Sequence, residues 1–179
     1  MEIKVAKTAG FCFGVKRAVD LTYGLLAEGC KVATLGPLIH NPQAVEDMQK
    51  KGALVADAIA DVPAGYEVVI RSHGVPRTVY DELEERNIPY HDATCPFVQK
   101  IQRIAADAEK AGAVLLVAGD RTHPEVQGIV GHTRGEVFVF ADLAELKAWK
   151  GPSDPQKPLF AVAQTTFQVT KWQESSEFL

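Results

Sequence analysis

Six loops of the sequence carry side chains that could bind a metal or an anion, or move a proton. Two cysteines each precede an amphipathic helix, and the positive end of a helix dipole stabilises a thiolate for metal or redox chemistry. Three histidines precede predicted helices in the same way, at positions that favour anion binding. The cysteines are Cys12 and Cys95, and the histidines are His40, His73 and His123. These residue types predict metal or redox chemistry beside a pocket for a phosphate or a diphosphate.

Glu125 follows His123 by two residues, a spacing that has two interpretations. In an extended loop both side chains point to the same side, and Glu125 would then hold a proton beside an anion-binding imidazole, as a general acid does. In a helix the two side chains point apart, and Glu125 would be a first-turn glutamate stabilised by the helix dipole. The spacing leaves both interpretations open. Thr165 and Thr166 follow a predicted strand and could also donate hydrogen bonds.

The surroundings of Cys12 distinguish it from an ordinary buried cysteine. Two phenylalanines and two glycines flank it, so aromatic walls could exclude water while the backbone approaches a bulky group. Cys30 has no such context, and we expect it to be structural. His91 and His132 lack the position before a helix, and we expect them to be non-catalytic.

These residues are positioned by a pattern of strands alternating with helices. Strands are predicted at 2–6, 31–35, 53–56, 66–71, near 89–91, 113–118, 137–140 and 158–164. Helices are predicted at 14–28, from Asn41-Pro42 to Gly52, at 76–86, from Cys95-Pro96 to about 111, at 124–131, at 142–149 and from about 168 onward. The alternation predicts an α/β fold with mostly parallel sheets. Ligands bind at the carboxyl ends of strands in such sheets, and the six loops with reactive side chains follow strands.

Composition narrows the classes of function. The chain has 179 residues, 46% of them hydrophobic, and a net charge of −4, which disfavours a general nucleic-acid role. Three cysteines make a disulfide framework improbable in a chain without an export signal. No apolar run reaches the roughly 18 residues that would span a membrane. We expect a cytoplasmic protein without nucleic-acid or membrane partners.

The motifs closely resemble one known family, the 4-hydroxy-3-methylbut-2-enyl diphosphate reductases. GFCFGVKRAV, GPLIHNPQ, SHGVP, DATCPFV, HPEVQG and QTT occur in the family's order and spacing between residues 10 and 167. The resemblance implies an oxidoreductase that carries a [4Fe-4S] cluster and performs the last step of the non-mevalonate isoprenoid pathway. It also implies repeated three-layer α/β/α modules in a pseudo-threefold arrangement around the cluster, and an electron donor of the ferredoxin or flavodoxin type.

The resemblance further implies a role for each candidate residue. These roles are cluster ligation by Cys12 and Cys95, diphosphate contact by His40, His73 and His123, and proton delivery by Glu125 with relay through Thr165. Thr166 is the alternative to Thr165 as the relay. The substrate's allylic hydroxyl would be removed with two electrons and two protons, giving isopentenyl and dimethylallyl diphosphates.

The sequence departs from the family pattern in its later part. A third cysteine ligand and a serine/asparagine motif of the diphosphate site are both missing, and Cys30 matches no family ligand. We expect an N-terminal strand segment at 1–13 that would pack with an absent third module, a first module at 14–94 and a second at 95–179. The chain is therefore expected to be the N-terminal part of a longer reductase, or a truncated product of one, and to hold a cluster poorly by itself.

Two other functions fit the same residues. Mixed cysteine and histidine ligands also suit a small zinc- or iron-binding protein. A non-catalytic diphosphate-binding module would use the histidines alone. Metal content under air and under nitrogen would test the first alternative, and diphosphate binding without iron would favour the second.

Overall fold

The computed structural model describes residues 3, 4, 6 and 9–179, and it divides the chain into two compact units. The first unit is built from Met1–Ser72 and Tyr90–Cys95, and the second from His73–Pro89 and Pro96–Leu179. The chain thus leaves the first unit after Ser72, contributes one helix to the second unit, and returns at Tyr90.

The first unit contains a four-stranded parallel sheet. Its elements are α1 (Phe13–Ala27), β1 (Val32–Leu35), α2 (Pro42–Lys50), β2 (Leu54–Ala56), a 3-10 turn (Ile59–Asp61), β3 (Glu67–Ile70) and β4 (Tyr90–Asp92). The strand order is β2-β1-β3-β4, with Ala33 opposite Val68 and Val69 opposite His91. All three strand pairs are parallel, so the loops that follow β1, β3 and β4 emerge at one edge.

Helices α1 and α2 cover one face of this sheet. Ala18 and Leu25 of α1 and Met48 of α2 pack with Val32 and Val69 of the strands in one buried cluster. The side chain of Asn41 caps α2 by accepting a hydrogen bond from the backbone N–H of Ala44 at 3.0 Å, and Pro42 occupies the first turn. Local sequence signals therefore fix the loop that carries His40.

The second unit is a three-layer α/β/α sandwich. Its elements are α3 (Arg77–Glu85), α4 (Pro96–Lys110), β5 (Val114–Ala118), α5 (Pro124–Val130), β6 (Val137–Phe140), α6 (Leu143–Ala148), β7 (Leu159–Ala163) and α7 (Val169–Phe178). The parallel sheet has the order β6-β5-β7, and every residue of the central β5 is buried.

The two faces of β5 pack against different helical layers. Leu115 and Val117 pack with residues of α4 and α5, including Ala105 and Ile129. Alternate strand residues point to the opposite face, where Leu116 packs in a cluster with residues of α6 and α7. A strand buried on both faces explains why 113–118 is a continuous apolar run in the sequence.

The predicted α/β class with parallel sheets is confirmed, and most element boundaries lie within one or two residues of those predicted. Of the predicted strand at 2–6, Glu2 and Val5 lie outside the described residues, and residues 3, 4 and 6 carry no regular structure. The division at 1–13, 14–94 and 95–179 stays a prediction. No helix within the described part of the chain is both long and apolar enough to cross a membrane.

Candidate functional site

The first unit brings Cys95 against the helix turn that follows Cys12. Cys12 is the N-cap residue of α1; it is exposed, and its side chain makes no capping hydrogen bond. Gly14 lies in the first turn of α1, where an added Cβ would be only 2.7 Å from Sγ of Cys95. Glycine is thus the residue that allows the Cys95 thiol to approach the start of α1.

Arg17 holds the backbone that leads to Cys95. Its Nη1 donates a hydrogen bond to the carbonyl oxygen of Thr94 at 3.0 Å, and its Nη2 donates to that of Asp92 at 3.1 Å. The Asp92 side chain accepts from the N–H of Thr94 at 2.9 Å, and the N–H of Cys95 donates to the Ser72 carbonyl at 3.0 Å. Four hydrogen bonds therefore fix the short segment from β4 to Cys95.

The two cysteines have the chemistry of cluster or metal ligands. Both are free cysteines, and Cys12 is the N-cap residue of α1. Gly14 leaves room for the Cys95 sulfur beside the first turn of α1. Cysteine thiolates are the usual ligands of iron–sulfur clusters, so both side chains are of a type that suits this chemistry.

Cys30 cannot join them. It follows the opposite end of α1, and at 1.5 Å per residue the 15-residue helix separates it from Cys12 by about 20 Å. Partial burial, followed by the nearby carboxylates of Glu67 and Glu28, raises the pKa of the Cys30 thiol. Cys30 also packs against the core under α1, in keeping with the structural role expected of it.

The second unit places Glu125 and Thr165 in direct contact. Glu125 lies in the first turn of α5 and is 1% exposed. Its Oε1 accepts the backbone N–H of Thr165 at 2.6 Å, and its Oε2 accepts the Thr165 hydroxyl at 2.8 Å. The helical interpretation of the Glu125 spacing is therefore the observed one, although the side chain turns inward to Thr165 instead of facing solvent.

Thr166 has a different partner. Its Oγ1 accepts a hydrogen bond from Nε2 of Gln164 at 2.9 Å, while Oε1 of Gln164 accepts from the N–H of Asp120 at 3.2 Å. Gln164 is buried and so ties the end of β7 to the loop after β5. Of the two threonines, Thr165 is the one that contacts Glu125.

His123 caps α5, and this contact fixes its tautomer. Its Nδ1 accepts a hydrogen bond from the backbone N–H of Glu125 at 3.1 Å. Because a backbone N–H can only donate, Nδ1 must be unprotonated, and the ring proton lies on Nε2. The N–H donor of the His123 ring is therefore at Nε2.

The loop before His123 is fixed by Asp120. Its Oδ1 accepts from the Thr122 hydroxyl at 2.7 Å and from the Thr122 backbone N–H at 2.8 Å. These two hydrogen bonds, aided by the nearby His123 ring, hold the pKa of the Asp120 carboxyl below its usual range. The Asp120 carbonyl accepts the His123 N–H at 3.0 Å, so the turn positions the imidazole.

His73 approaches His123 within the second unit. The ring centroids are 5.3 Å apart and the rings are nearly perpendicular, at 86°. His73 lies before Pro76, the N-cap of α3, so it occupies the turn that leads to that helix and is not its cap. Two of the three predicted histidines thus form a pair near the Glu125–Thr165 contact at the start of α5.

His40 lies in the first unit, immediately before the Asn41 cap of α2. It is exposed and lines an open cavity of about 480 Å³ together with apolar residues that include Ile39 and Val45. The predicted position before a helix is therefore observed for His40, as it is for the capping His123.

His91 and His132 make contacts that suit a structural role. Nε2 of His91 lies 2.6 Å from a carboxylate oxygen of Glu67 across β3 and β4. Nδ1 of His132 lies 2.8 Å from the Gly128 carbonyl oxygen, and its ring packs edge-on against Tyr80.

Sequence reasoning assigned no role to Arg17 or Gln164, although both stand inside quoted motifs. Arg17 donates to carbonyls that lie 75 and 77 residues away in the sequence. Gln164 accepts a hydrogen bond from Asp120, which is 44 residues away. Local periodicity cannot reveal such partners. The available signal was only that Gln164 is a polar residue at the end of an apolar strand.

Comparisons with known proteins agree with this architecture. The LytB protein family matches residues 3–179. The 4-hydroxy-3-methylbut-2-enyl diphosphate reductase of Syntrophotalea carbinolica is 42% identical over 99% of this chain, and that of Citrifermentans bemidjiense is 40% identical over 93%. The matched regions make up 62% and 57% of those relatives, so the chain spans about three-fifths of their length.

Two solved structures share the fold. A structure of (E)-4-hydroxy-3-methyl-but-2-enyl diphosphate reductase, described as the terminal enzyme of the non-mevalonate pathway, matches with a TM-score of 0.82 and 35% identity. The match covers 98% of this chain and 62% of that one. The Plasmodium falciparum E-1-hydroxy-2-methyl-but-2-enyl-4-diphosphate reductase matches with a TM-score of 0.85 at 23% identity, over 96% and 54% of the two chains, and supports the fold alone. With a family match over nearly its whole length, the chain belongs to the LytB protein family.

Proposed function

We propose that this chain forms the larger part of a 4-hydroxy-3-methylbut-2-enyl diphosphate reductase. The reaction removes the allylic hydroxyl of the substrate with two electrons and two protons, releasing water and giving isopentenyl and dimethylallyl diphosphates. Membership of the LytB family and the relatives' names support this activity. A ferredoxin or flavodoxin is the proposed electron donor, and the cytoplasm is the proposed location.

The buried contact between Glu125 and Thr165 carries the proposal. A carboxyl group that is 1% exposed can exchange protons only through the groups that touch it, and the Thr165 hydroxyl touches Oε2 at 2.8 Å. When Glu125 is protonated, it can donate to the threonine oxygen, and the threonine can pass its own proton onward. We propose that this pair delivers the proton that converts the departing hydroxide into water.

We propose that His40, His73 and His123 bind the diphosphate. The hydrogen bond from Glu125 N–H to Nδ1 of His123 places the ring's N–H at Nε2, and an imidazole N–H is a donor of the kind that binds a phosphate oxygen. The edge-on packing of His73 against His123 holds the second imidazole beside the first. Binding the diphosphate at these rings would orient the allylic end of the substrate for reaction.

Cys12 and Cys95 are the proposed ligands of a [4Fe-4S] cluster. When bound, the cluster supplies electrons and an iron that can act as a Lewis acid. The chain's own contribution is to hold two thiolates at the start of α1, with Gly14 giving the second sulfur room. We propose that the third thiolate comes from beyond the three-fifths of the relatives' length that this chain spans.

The activity is tested on the protein expressed from its complete reading frame under nitrogen. Purified protein is given the diphosphate substrate and a one-electron reductant, and both products are quantified. Glu125→Gln should lower turnover by about 10² to 10⁴-fold, the usual contribution of a general acid, while the exposed Glu174→Gln should leave it unchanged. Full turnover by Glu125→Gln would refute the proton-delivery role.

Cluster binding is tested separately on the 179 residues. Iron and sulfide are measured after anaerobic reconstitution, and we expect substoichiometric, easily lost iron. A stable stoichiometric cubane would contradict the need for a third thiolate from outside. Zinc retained equally under air and nitrogen would instead favour a zinc protein, and iron-independent diphosphate binding would favour a binding module.

A further inference from the structure

Arg71 stands at the carboxyl edge of the first unit's sheet. It directly follows β3, and its guanidinium lies over Gly36, the residue that follows the neighbouring strand β1. An added Cβ at Gly36 would be 3.0 Å from Nη1 of Arg71, and Gly36 has a φ of +70°. Because Gly36 has no side chain, the Arg71 guanidinium can lie directly over it.

The Arg71 side chain has a buried donor without an acceptor. Its Nε makes no hydrogen bond with any of the described residues. Removal from water lowers the pKa of this guanidinium below its ordinary value. By contrast, Arg17, Arg77 and Arg86 each make hydrogen bonds or ion pairs with neighbouring groups.

A buried guanidinium N–H without an acceptor is costly. Buried polar groups in proteins are almost always hydrogen-bonded, and buried charges are almost always paired. An arginine with such a donor at the ligand-binding edge of a parallel sheet is placed to receive an anion from outside the described residues.

We propose that Arg71 binds a phosphate-type anion. The planar guanidinium presents its donors in a fork that matches two oxygens of a phosphoryl group. Gly36 and His40 belong to the same short loop after β1, so the cation lies over the start of the loop that carries one of the proposed diphosphate ligands. This inference rests on the proposed function, because it makes Arg71 an additional ligand of the substrate's diphosphate.

The test measures binding of inorganic pyrophosphate to the 179-residue chain at fixed ionic strength. Calorimetric titration compares the wild type with Arg71→Gln and with Arg103→Gln, which removes an exposed guanidinium that donates to the Gln99 carbonyl within α4. Loss of a charged hydrogen-bond pair should weaken binding by about 10 to 100-fold in Arg71→Gln. Arg103→Gln should bind as the wild type does.

A second readout does not depend on the folding of Arg71→Gln. The Nε–H resonance of Arg71 in ¹H–¹⁵N spectra of the wild type is assigned by its disappearance in Arg71→Lys. We expect this resonance to shift as pyrophosphate is added, because Nε gains an acceptor. Unchanged affinity in folded Arg71→Gln, a stationary resonance at saturation, or absence of pyrophosphate binding by the wild type would each overturn the proposal.

The two proposals fail in different ways. Reductase turnover by the complete protein together with a stationary Arg71 resonance would refute the anion role of Arg71 alone. An inactive complete protein whose Arg71 resonance still shifts with pyrophosphate would refute the reductase proposal and leave the anion site standing.

Discussion

Thr165 gives both of its donors to one carboxylate. Its backbone N–H binds Oε1 of Glu125 at 2.6 Å, and its hydroxyl binds Oε2 at 2.8 Å, so the two residues form a closed pair. The pair joins the loop after β7 to the first turn of α5 across 40 positions of sequence. These two hydrogen bonds fix the orientation of the carboxylate, and the Thr165 hydroxyl is the proposed route for its proton.

Thr165→Val should abolish that route while keeping the side-chain shape. We expect turnover of the complete protein to fall by about 10²-fold, since a general acid that cannot be reprotonated loses most of its benefit. Thr165→Ser keeps the hydroxyl and should retain most activity. Thr166→Ala serves as the control, because Thr166 contacts Gln164. Equal losses in Thr165→Val and Thr166→Ala would contradict the assignment.

The sequence predicted elements well where local chemistry specifies them. Asn41-Pro42 predicted the start of α2, and the side chain of Asn41 indeed caps it. The apolar run at 113–118 predicted a buried strand, and β5 is the buried centre of its sheet. Both signals act over a few residues, which is the range that propensity and capping can encode.

The site was predicted less completely because its contacts are distant in sequence. The spacing of His123 and Glu125 left a loop and a helix open, and only the fold shows that a helical Glu125 turns toward Thr165. Arg17 has the pattern of a surface residue on an amphipathic helix, yet it binds two carbonyls 75 and 77 residues away. Such partners follow from tertiary packing and have no local signature.

Gly14→Ala should disturb the approach of Cys95 to the start of α1. The new Cβ would lie 2.7 Å from Sγ and 2.9 Å from Cβ of Cys95, so one of the two segments must move. Overpacking of this kind costs about 1–3 kcal/mol in unfolding free energy. Gly24→Ala in the same helix has nothing within 4 Å and should instead add about 0.5–1 kcal/mol. Urea unfolding measures the unfolding free energy of both variants and of the wild type.

The iron content of the same two variants distinguishes a local effect on iron ligation from a general loss of stability. We expect Gly14→Ala to retain less iron than Gly24→Ala after anaerobic reconstitution of the complete protein. Equal iron in both would mean that the approach of Cys95 to α1 is unimportant for ligation.

Arg17→Ala should loosen the segment before Cys95. It removes the donors to the carbonyls of Asp92 and Thr94, at a cost of about 1 kcal/mol or more. Amide hydrogen exchange at residues 93–95 should become faster, because the backbone loses the two hydrogen bonds from Arg17 that hold it in place. Lys16→Ala is the control on the same helix, because Lys16 forms an exposed ion pair with Asp20. Unchanged exchange in Arg17→Ala would show that the hydrogen bonds from Arg17 do not hold this segment in place.

Asp47 should make part of the stability of the first unit dependent on pH. Hydrogen bonds from Lys51 and then Tyr23 hold the pKa of the Asp47 carboxyl below its ordinary value. The folded state therefore binds this proton less readily than the unfolded state, and the stabilisation is present above about pH 4 and lost as pH falls through the folded pKa. The melting temperature of Asp47→Asn should fall less between about pH 5 and pH 3 than that of the wild type. Parallel curves for the two proteins would contradict this prediction.

Gly131→Ala should destabilise the contact that positions the turn carrying His73. Gly131 ends α5, and its carbonyl accepts the N–H of Arg77 at 3.0 Å, which docks the start of α3. An added Cβ would lie 2.4 Å from Cβ and 2.8 Å from Cα of Pro76, and neither atom can move without the backbone.

We expect Gly131→Ala to lower the unfolding free energy by about 1–3 kcal/mol, the usual cost of overpacking. Gly128→Ala, one turn earlier in α5, would place its Cβ 3.4 Å from Nε2 of Gln102 and 3.5 Å from the His73 carbonyl oxygen, which are ordinary contacts, so it should be close to neutral. Urea unfolding compares the two variants, and Gly131→Ala should shift the His73 ring resonances more than Gly128→Ala does. If both variants unfold at the wild-type midpoint, the close contact between Gly131 and Pro76 does not constrain the His73 turn.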